Sequence, residues 1–214
     1  MDEIRDGLKF LKKHGDIDDE SRFAREPLIV KDAITRANET IHKAAISQPQ
    51  CQGMGTTVVT AMFYDDRMTI AHVGDSRLYR LHEHVFGQIT VDHSLLQELI
   101  DKGFYTPEEA KHSLNNNLVT RAMGIESTVV PDVQEEAAVP GDIYLLCSDG
   151  LTNMVADEQI RQTMEKHASD LGRRAEALVP IANENGGNDN VSVVLVKVLK
   201  PLPSSECGWY SRFF

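Results

Sequence analysis

After Gly53-Met54-Gly55 the hydrophobic period of the chain changes from helical to extended, and that change limits the fold more than any other feature. Upstream, Val30, Ile34, Ala37, Ile41 and Ala45 recur at three- and four-residue steps. One apolar stripe therefore runs along residues 27–46 and predicts a helix, entered at Pro27. Downstream, residues 56–64 are rich in β-branched side chains, Asp65-Asp66-Arg67 is turn chemistry, and residues 68–73 resume the extended pattern. The two runs predict a hairpin, and residues 78–81 a third short strand. Strands that arrive as hairpins, with helices in separate blocks, point to an α+β fold with layered antiparallel sheets. A doubly wound parallel sheet would alternate strand and helix more regularly.

The remaining elements fit that class. Residues 94–102 have a helical pattern, and Thr106-Pro107-Glu108-Glu109 is a capping box that starts a further short helix. Residues 143–147 form a continuous apolar run, the signature of a buried strand. Helices follow at 156–167 and 171–185, the second capped by Asp170 and stopped at Gly186, and residues 191–198 form the last strand. Ile4, Leu8 and Leu11 recur at helical spacing, with Gly15 as a stop. The chain reads as one domain over residues 1–200, with 201–214 as a tail. That tail carries Trp209, Tyr210, Phe213 and Phe214, which are expected to rest on the protein's own apolar surface, the alternative being a partner or a membrane surface.

Composition narrows the function. The 214 residues carry a formal charge of -11, which argues against a nucleic-acid partner, because the phosphate backbone rewards Lys and Arg. Cys51, Cys147 and Cys207 are odd in number and widely spaced, so neither a disulfide framework nor a zinc knuckle is expected. Cys147, inside the apolar run, reads as a small buried hydrophobe. No stretch approaches the ~20 apolar residues that span a bilayer, and Met1-Asp2-Glu3-Ile4 lacks the character of a secretory leader. The expected location is the cytoplasm.

Three acidic residues are marked by position. Asp75 directly follows a strand in Val73-Gly74-Asp75-Ser76, Asp149 follows one in Cys147-Ser148-Asp149-Gly150, and Asp189 precedes one in Asn188-Asp189-Asn190. If strands 143–147 and 191–198 pair antiparallel, Asp149 and Asp189 meet at one edge of the sheet. Carboxylates that close repel unless a cation neutralises them, and hard oxygen ligands on strand ends suit Mg²⁺ or Mn²⁺. The competing reading is plain turn chemistry, which Asp-Gly and Asn-Asp-Asn also favour.

Seven motifs occur in order: Gly53-Met54-Gly55-Thr56-Thr57, Val73-Gly74-Asp75-Ser76-Arg77, Asp92-His93-Ser94, Thr120-Arg121-Ala122-Met123-Gly124, Pro140-Gly141-Asp142, Leu146-Cys147-Ser148-Asp149-Gly150-Leu151 and Gly187-Asn188-Asp189-Asn190-Val191. This series resembles that of the bacterial PP2C (PPM) metal-dependent protein serine/threonine phosphatases. The resemblance implies a layered α-β-β-α sandwich of antiparallel sheets. It also implies two or three Mn²⁺ or Mg²⁺ ions, with Asp149 as a ligand shared between ions, Asp189 as a ligand of the water-activating pair and Asp75 as the holder of a third, weaker ion. Gly74, Ser76, Ser148, Gly150 and Asn190 belong to the same motifs as support. Residues 94–119 correspond to the flap beside the active site. Implied partners are phosphorylated protein substrates and a serine/threonine kinase system that makes them, and the implied reaction is direct attack of metal-activated water. His72, His82, His84 and His112 show no ligand spacing, and His93 is given no catalytic role.

The family's Arg-x-x-Asn-Glu-Asp and Asp-Gly-Met-Gly-Gly-His motifs do not occur in the 214 residues. The resemblance is therefore to a domain incomplete at its N-terminus, with low activity expected of this chain alone. A non-catalytic phosphoprotein-binding module is the alternative.

Overall fold

The computed structural model describes residues 25–110, 118–166 and 170–202. The helical pattern at residues 4–11, the tail aromatics, Cys207 and His112 lie outside the described residues. The first described element is α1 (Arg25–Ser47), whose inner stripe buries Val30, Ala33, Ile34 and Ala45. The hairpin follows as β1 (Val58–Tyr64) and β2 (Arg67–Val73), in register from Val58↔Val73 to Tyr64↔Arg67. Its turn sets Asp65 and Asp66 at φ 44° and 56°, left-handed backbone that Asp tolerates better than most residues.

Two sheets form. β5 (Asp132–Ala137) pairs antiparallel with the free edge of β2, which completes a sheet of order β1-β2-β5. The second sheet contains β3 (Arg77–His82), β4 (Val85–Gln88), β6 (Ile143–Cys147) and β7 (Val193–Lys197), in the order β4-β3-β6-β7. All its pairings are antiparallel. Between strands lie α2 (Leu95–Asp101), α3 (Pro107–Ala110), α4 (Asp149–Thr152), α5 (Asp157–Lys166) and α6 (Leu171–Glu184).

Three apolar layers hold four structural layers together. Met68 and Ile70 from β2 meet Leu78 and Tyr144 from the other sheet, so the sheets pack face to face. Tyr79, Leu81, Ile143, Leu145 and Cys147 point the other way, onto Leu151, Ile160, Met164 and Leu178 of α4, α5 and α6. Val30 and Ile34 of α1 cover Ala71 and Val73 of β2. Successive residues of β6 thus face opposite apolar layers, which explains why residues 143–147 show no polar alternation. Each fully buried aliphatic here contributes roughly 1.5–3 kcal/mol relative to exposure. The expected α-β-β-α sandwich is the observed architecture.

Most expected elements stand, with ends displaced by one or two residues: the helix expected at 27–46 and the strands at 68–73 and 78–81 run longer, and the strand expected at 191–198 runs shorter. Thr106 and Glu109 close the capping box: the Thr106 amide donates to Glu109 Oε2 at 2.8 Å, and the Glu109 amide donates to Thr106 Oγ1 at 3.3 Å. Ser94 caps α2 through the Gln97 amide, and Asp170 caps α6 through the Arg173 amide. Strands β4 and β5 carried no sequence signal. β5 reads Asp-Val-Gln-Glu-Glu-Ala, with little apolar alternation, because it is an edge strand with mostly exposed side chains.

Candidate metal centre and the residues that hold it

Register decides where the three aspartates go. Arg77, the first residue of β3, pairs with Cys147, the last of β6, and Cys147 pairs with Val193, the first of β7. Asp75 lies two residues before Arg77, Asp149 two after Cys147, and Asp189 four before Val193. All three therefore leave the same end of the four-stranded sheet. The expected antiparallel pairing of the strands around 143–147 and 191–198 is the one observed.

Local contacts lock the β6 and β7 ends together. The Ser148 amide donates to Ser192 O at 3.1 Å, and the Ser192 amide donates back to Ser148 Oγ at 3.0 Å. Ser148 Oγ donates in turn to Asn190 O at 3.1 Å. Gly150 permits the closeness: a Cβ placed there would lie 2.9 Å from the Asn190 carbonyl carbon and closer still to its oxygen. Ser148, Gly150 and Asn190 thus set the gap between the Asp149 and Asp189 backbones. Asp149 opens α4 half-buried, with Asn153 Nδ2 donating to its Oδ2 at 3.3 Å. Asp189 is exposed, and its Oδ1 accepts from the Asn190 amide at 2.7 Å.

Gly74-Asp75-Ser76 is where the chain crosses from the three-stranded sheet to the four-stranded one. Gly74 has φ +109°, and a Cβ there would sit 2.6 Å from the Thr57 Cβ, so only glycine fits. Ser76 Oγ shares a 2.8 Å hydrogen bond with Thr57 Oγ1. Burial raises the Asp75 carboxyl above its ordinary value, and the charge of Asp149 raises it further. Asp75 and Asp149 therefore feel one another. The donors on this sheet end are hard carboxylate oxygens, which fit Mg²⁺ or Mn²⁺ rather than a thiolate-seeking metal.

Arg77 is not free to grip a substrate. Its Nε and Nη2 donate to Asp92 at 2.7–3.0 Å, and its Nη1 donates to Tyr79 Oη at 2.9 Å. Tyr79 donates onward to Asp157 at 2.9 Å, tying the sheet end to α5. Cys147 is 3% exposed, and burial pushes its thiol up to about 12, as its place in an apolar run implied.

Sequence reasoning missed one cluster. His72, His93 and Asp132 bring one ligand-type atom each within 4.8 Å of one another. His72 lies directly across the ladder from Asp132, and the two imidazoles stack with centroids 4.6 Å apart. His93 Nε2 lies 3.3 Å from Asp132 Oδ2, and Arg121 Nη1 donates to Asp132 Oδ1 at 2.9 Å. The four residues come from four separate segments, so no local spacing could have shown them together. A histidine in a strand of buried residues was the available hint.

The α1 helix fixes the neighbouring loop. Buried Asn38 accepts from the Gly124 amide at 2.7 Å and donates to Glu126 O at 3.1 Å.

Residues 9–191 match the family model for protein phosphatase 2C. The serine/threonine phosphatase Stp of Listeria monocytogenes is 39% identical over 168 residues, covering 78% of this chain and 66% of that protein, so the chain spans just under two thirds of its length. The crystal structure of the Mycobacterium tuberculosis serine/threonine phosphatase PstP superposes with a TM-score of 0.79 at 33% identity, covering 93% of this chain and 81% of that one. A structure of the PstP catalytic domain in complex with 2 manganese ions gives 0.75 at 33% identity, covering 93% and 80%. The matched span takes in all three aspartates and every strand but β7, and on that ground the chain belongs to the protein phosphatase 2C family.

Proposed function

We propose that this chain carries the chemistry of a protein serine/threonine phosphatase, hydrolysing phosphoserine and phosphothreonine with Mn²⁺ or Mg²⁺. The convergence of Asp75, Asp149 and Asp189 on one sheet end, inside the span matched to the family, carries the reading. Asp149 and Asp189 are assigned to the main ion pair and Asp75 to a weaker third ion. When bound, such ions lower the pKa of water and offset charge on the phosphoryl oxygens. The chain's own part is to fix the carboxylates: Ser148 and Gly150 hold the Asp149 and Asp189 backbones together, and Gly74 carries Asp75 across to the same edge. Attack by water rather than by a side chain agrees with Cys147, whose buried thiol stays protonated. Arg77 acts as structure, spent on Asp92 and Tyr79.

Residues 1–200 act as one catalytic domain with 201–214 as a tail, and residues 94–119 as the flap beside the centre. The substrates are phosphorylated proteins made by a serine/threonine kinase system, in the cytoplasm. Among the described residues no helix is long and apolar enough to cross a membrane.

The decisive assay is manganese-dependent turnover of a phosphothreonine peptide. Turnover that chelation abolishes, and that Asp149→Asn or Asp189→Asn lowers by orders of magnitude, supports the enzyme. Asp75→Asn should lower the rate while leaving the main ion pair bound. The alternative is a phosphoprotein-binding module without turnover, tested in this chain and in a fusion that carries the family's Arg-x-x-Asn-Glu-Asp and Asp-Gly-Met-Gly-Gly-His motifs. Tight peptide binding without turnover, also after those motifs are supplied by fusion, would establish it. Phosphodiester cleavage faster than phosphopeptide cleavage would refute both.

A further inference from the structure

The buried cluster around His93 does not belong to the metal-ligand set, yet it touches the peptide beside Asp75. The Gly74 amide donates to His93 Nδ1 at 3.1 Å, and the His93 amide donates to Gly74 O at 3.0 Å. Both backbone polar groups of Gly74 are thus tied to one residue, just past Val73, where the β1–β2 ladder ends.

The donor at Gly74 fixes the ring. An amide N–H can point only at a lone pair, so Nδ1 of His93 is unprotonated and the ring proton sits on Nε2. The Nε2 side of the ring then faces Asp132, whose Oδ2 lies 3.3 Å away, and Asp132 is held in turn by Arg121. Arg121 Nη1 also lies 3.2 Å from His93 Nε2, a contact between two donors rather than a bond. On the ring face, His72 stacks at 4.6 Å, and its own Nε2 is 2.7 Å from Val91 O, an acceptor that fixes the His72 proton there. The ring of His93 is held at both nitrogens and on one face. Its pKa is lowered, chiefly by burial, which keeps it neutral.

The same tautomer argues against reading His72, His93 and Asp132 as a metal site. A metal on Nε2 of His93 would require the proton on Nδ1, where it would face the Gly74 N–H. The trio instead behaves as a rigid strut, with an acceptor at one end and a donor at the other.

We propose that His93 is a positioning residue: its Nδ1 holds the Gly74 peptide and so aims the Asp75 carboxylate at the metal centre, an inference that rests on Asp75 being a ligand. Two substitutions divide the ring in half. His93→Asn keeps an acceptor where Nδ1 lies and loses the reach to Asp132. His93→Gln keeps a donor where Nε2 lies and loses the acceptor for Gly74.

The probes are manganese alone, titrated by calorimetry into the full chain, and hydrogen exchange at the Gly74 amide. His93→Gln should speed Gly74 exchange and weaken the weakest manganese event by roughly 10- to 100-fold, the usual scale for outer-shell changes. His93→Asn should resemble the unsubstituted protein in both. Equal losses in the two variants, or none in His93→Gln, would overturn the inference. Ring nitrogen shifts in the unsubstituted protein give a test that no folding defect can blur, since a proton on Nδ1 overturns it directly. Asp75→Asn separates the two possible failures. If every manganese event survives that change, the ligand reading falls. If the weak event vanishes in Asp75→Asn but persists in His93→Gln, the positioning role falls.

Discussion

Replacing Gly150 by alanine isolates the gap between Asp149 and Asp189. Gly150 lies in α4, and its φ is outside the left-handed region that only glycine tolerates. In a helix, Gly→Ala alone should stabilise by up to about 1 kcal/mol. Here the added methyl would stand 2.9 Å from the Asn190 carbonyl carbon, where ordinary contact begins at 3.4 Å. The obstacle is backbone, so it cannot rotate away. Relief requires the two loops to part by about 0.5–1 Å, and such overpacking costs on the order of 1–3 kcal/mol, enough to reverse the propensity gain. A shift near 1 Å in a ligand frame costs on the order of 100-fold in rate. Gly150→Ala should therefore lower the melting temperature, weaken manganese binding in calorimetry and depress phosphopeptide turnover together. A variant that melts higher than the parent and binds manganese unchanged would refute the packing argument and, with it, the role given to Gly150.

Three further outcomes are expected. Asp142 is fully buried and held by Arg80 at 2.8 Å and His82 at 2.5 Å, both partly exposed, so Asp142→Asn should cost about 1–3 kcal/mol in chemical denaturation, and an unchanged midpoint would contradict it. Cys147, buried and with its thiol pushed up to about 12, should resist thiol reagents until the protein unfolds, whereas half-buried Cys51 should react in the native state; early labelling of Cys147 would count against this core. His93 is held below its ordinary 6.5 by burial, with Arg121 and His72 lowering it further and Asp132 opposing, so the unfolded chain takes up that proton first as pH falls. Stability should be complete above about pH 6.5 and decline below it towards the folded pKa, and His93→Asn should flatten that part of a melting-temperature profile; an unaltered profile would remove His93 as the cause.

The sequence by itself determined the elements with strong local signals. The stripe from Val30 to Ala45 could only be a helix with one buried face, and the β-branched run before Asp65-Asp66 could only pair with the run after it. Glu109 and Thr106 carried their own cap, and residues 143–147 announced a strand covered on both faces. The positions of Asp75, Asp149 and Asp189 beside strands were also legible, because a strand end is a local property. What lay beyond the sequence was set by contacts between distant segments. β5 forms because the free edge of β2 offers unpaired amides and carbonyls, not because Asp-Val-Gln-Glu-Glu-Ala favours a strand. The pairing of Arg77 with Cys147, and of Cys147 with Val193, brings three turns to one sheet end that short-range chemistry would have treated separately. His72, His93, Arg121 and Asp132 are the extreme case. Each has an ordinary local setting, and only the crossing of the chain from one sheet to the other at Gly74 leaves an amide in need of an acceptor, which a buried imidazole from another segment supplies.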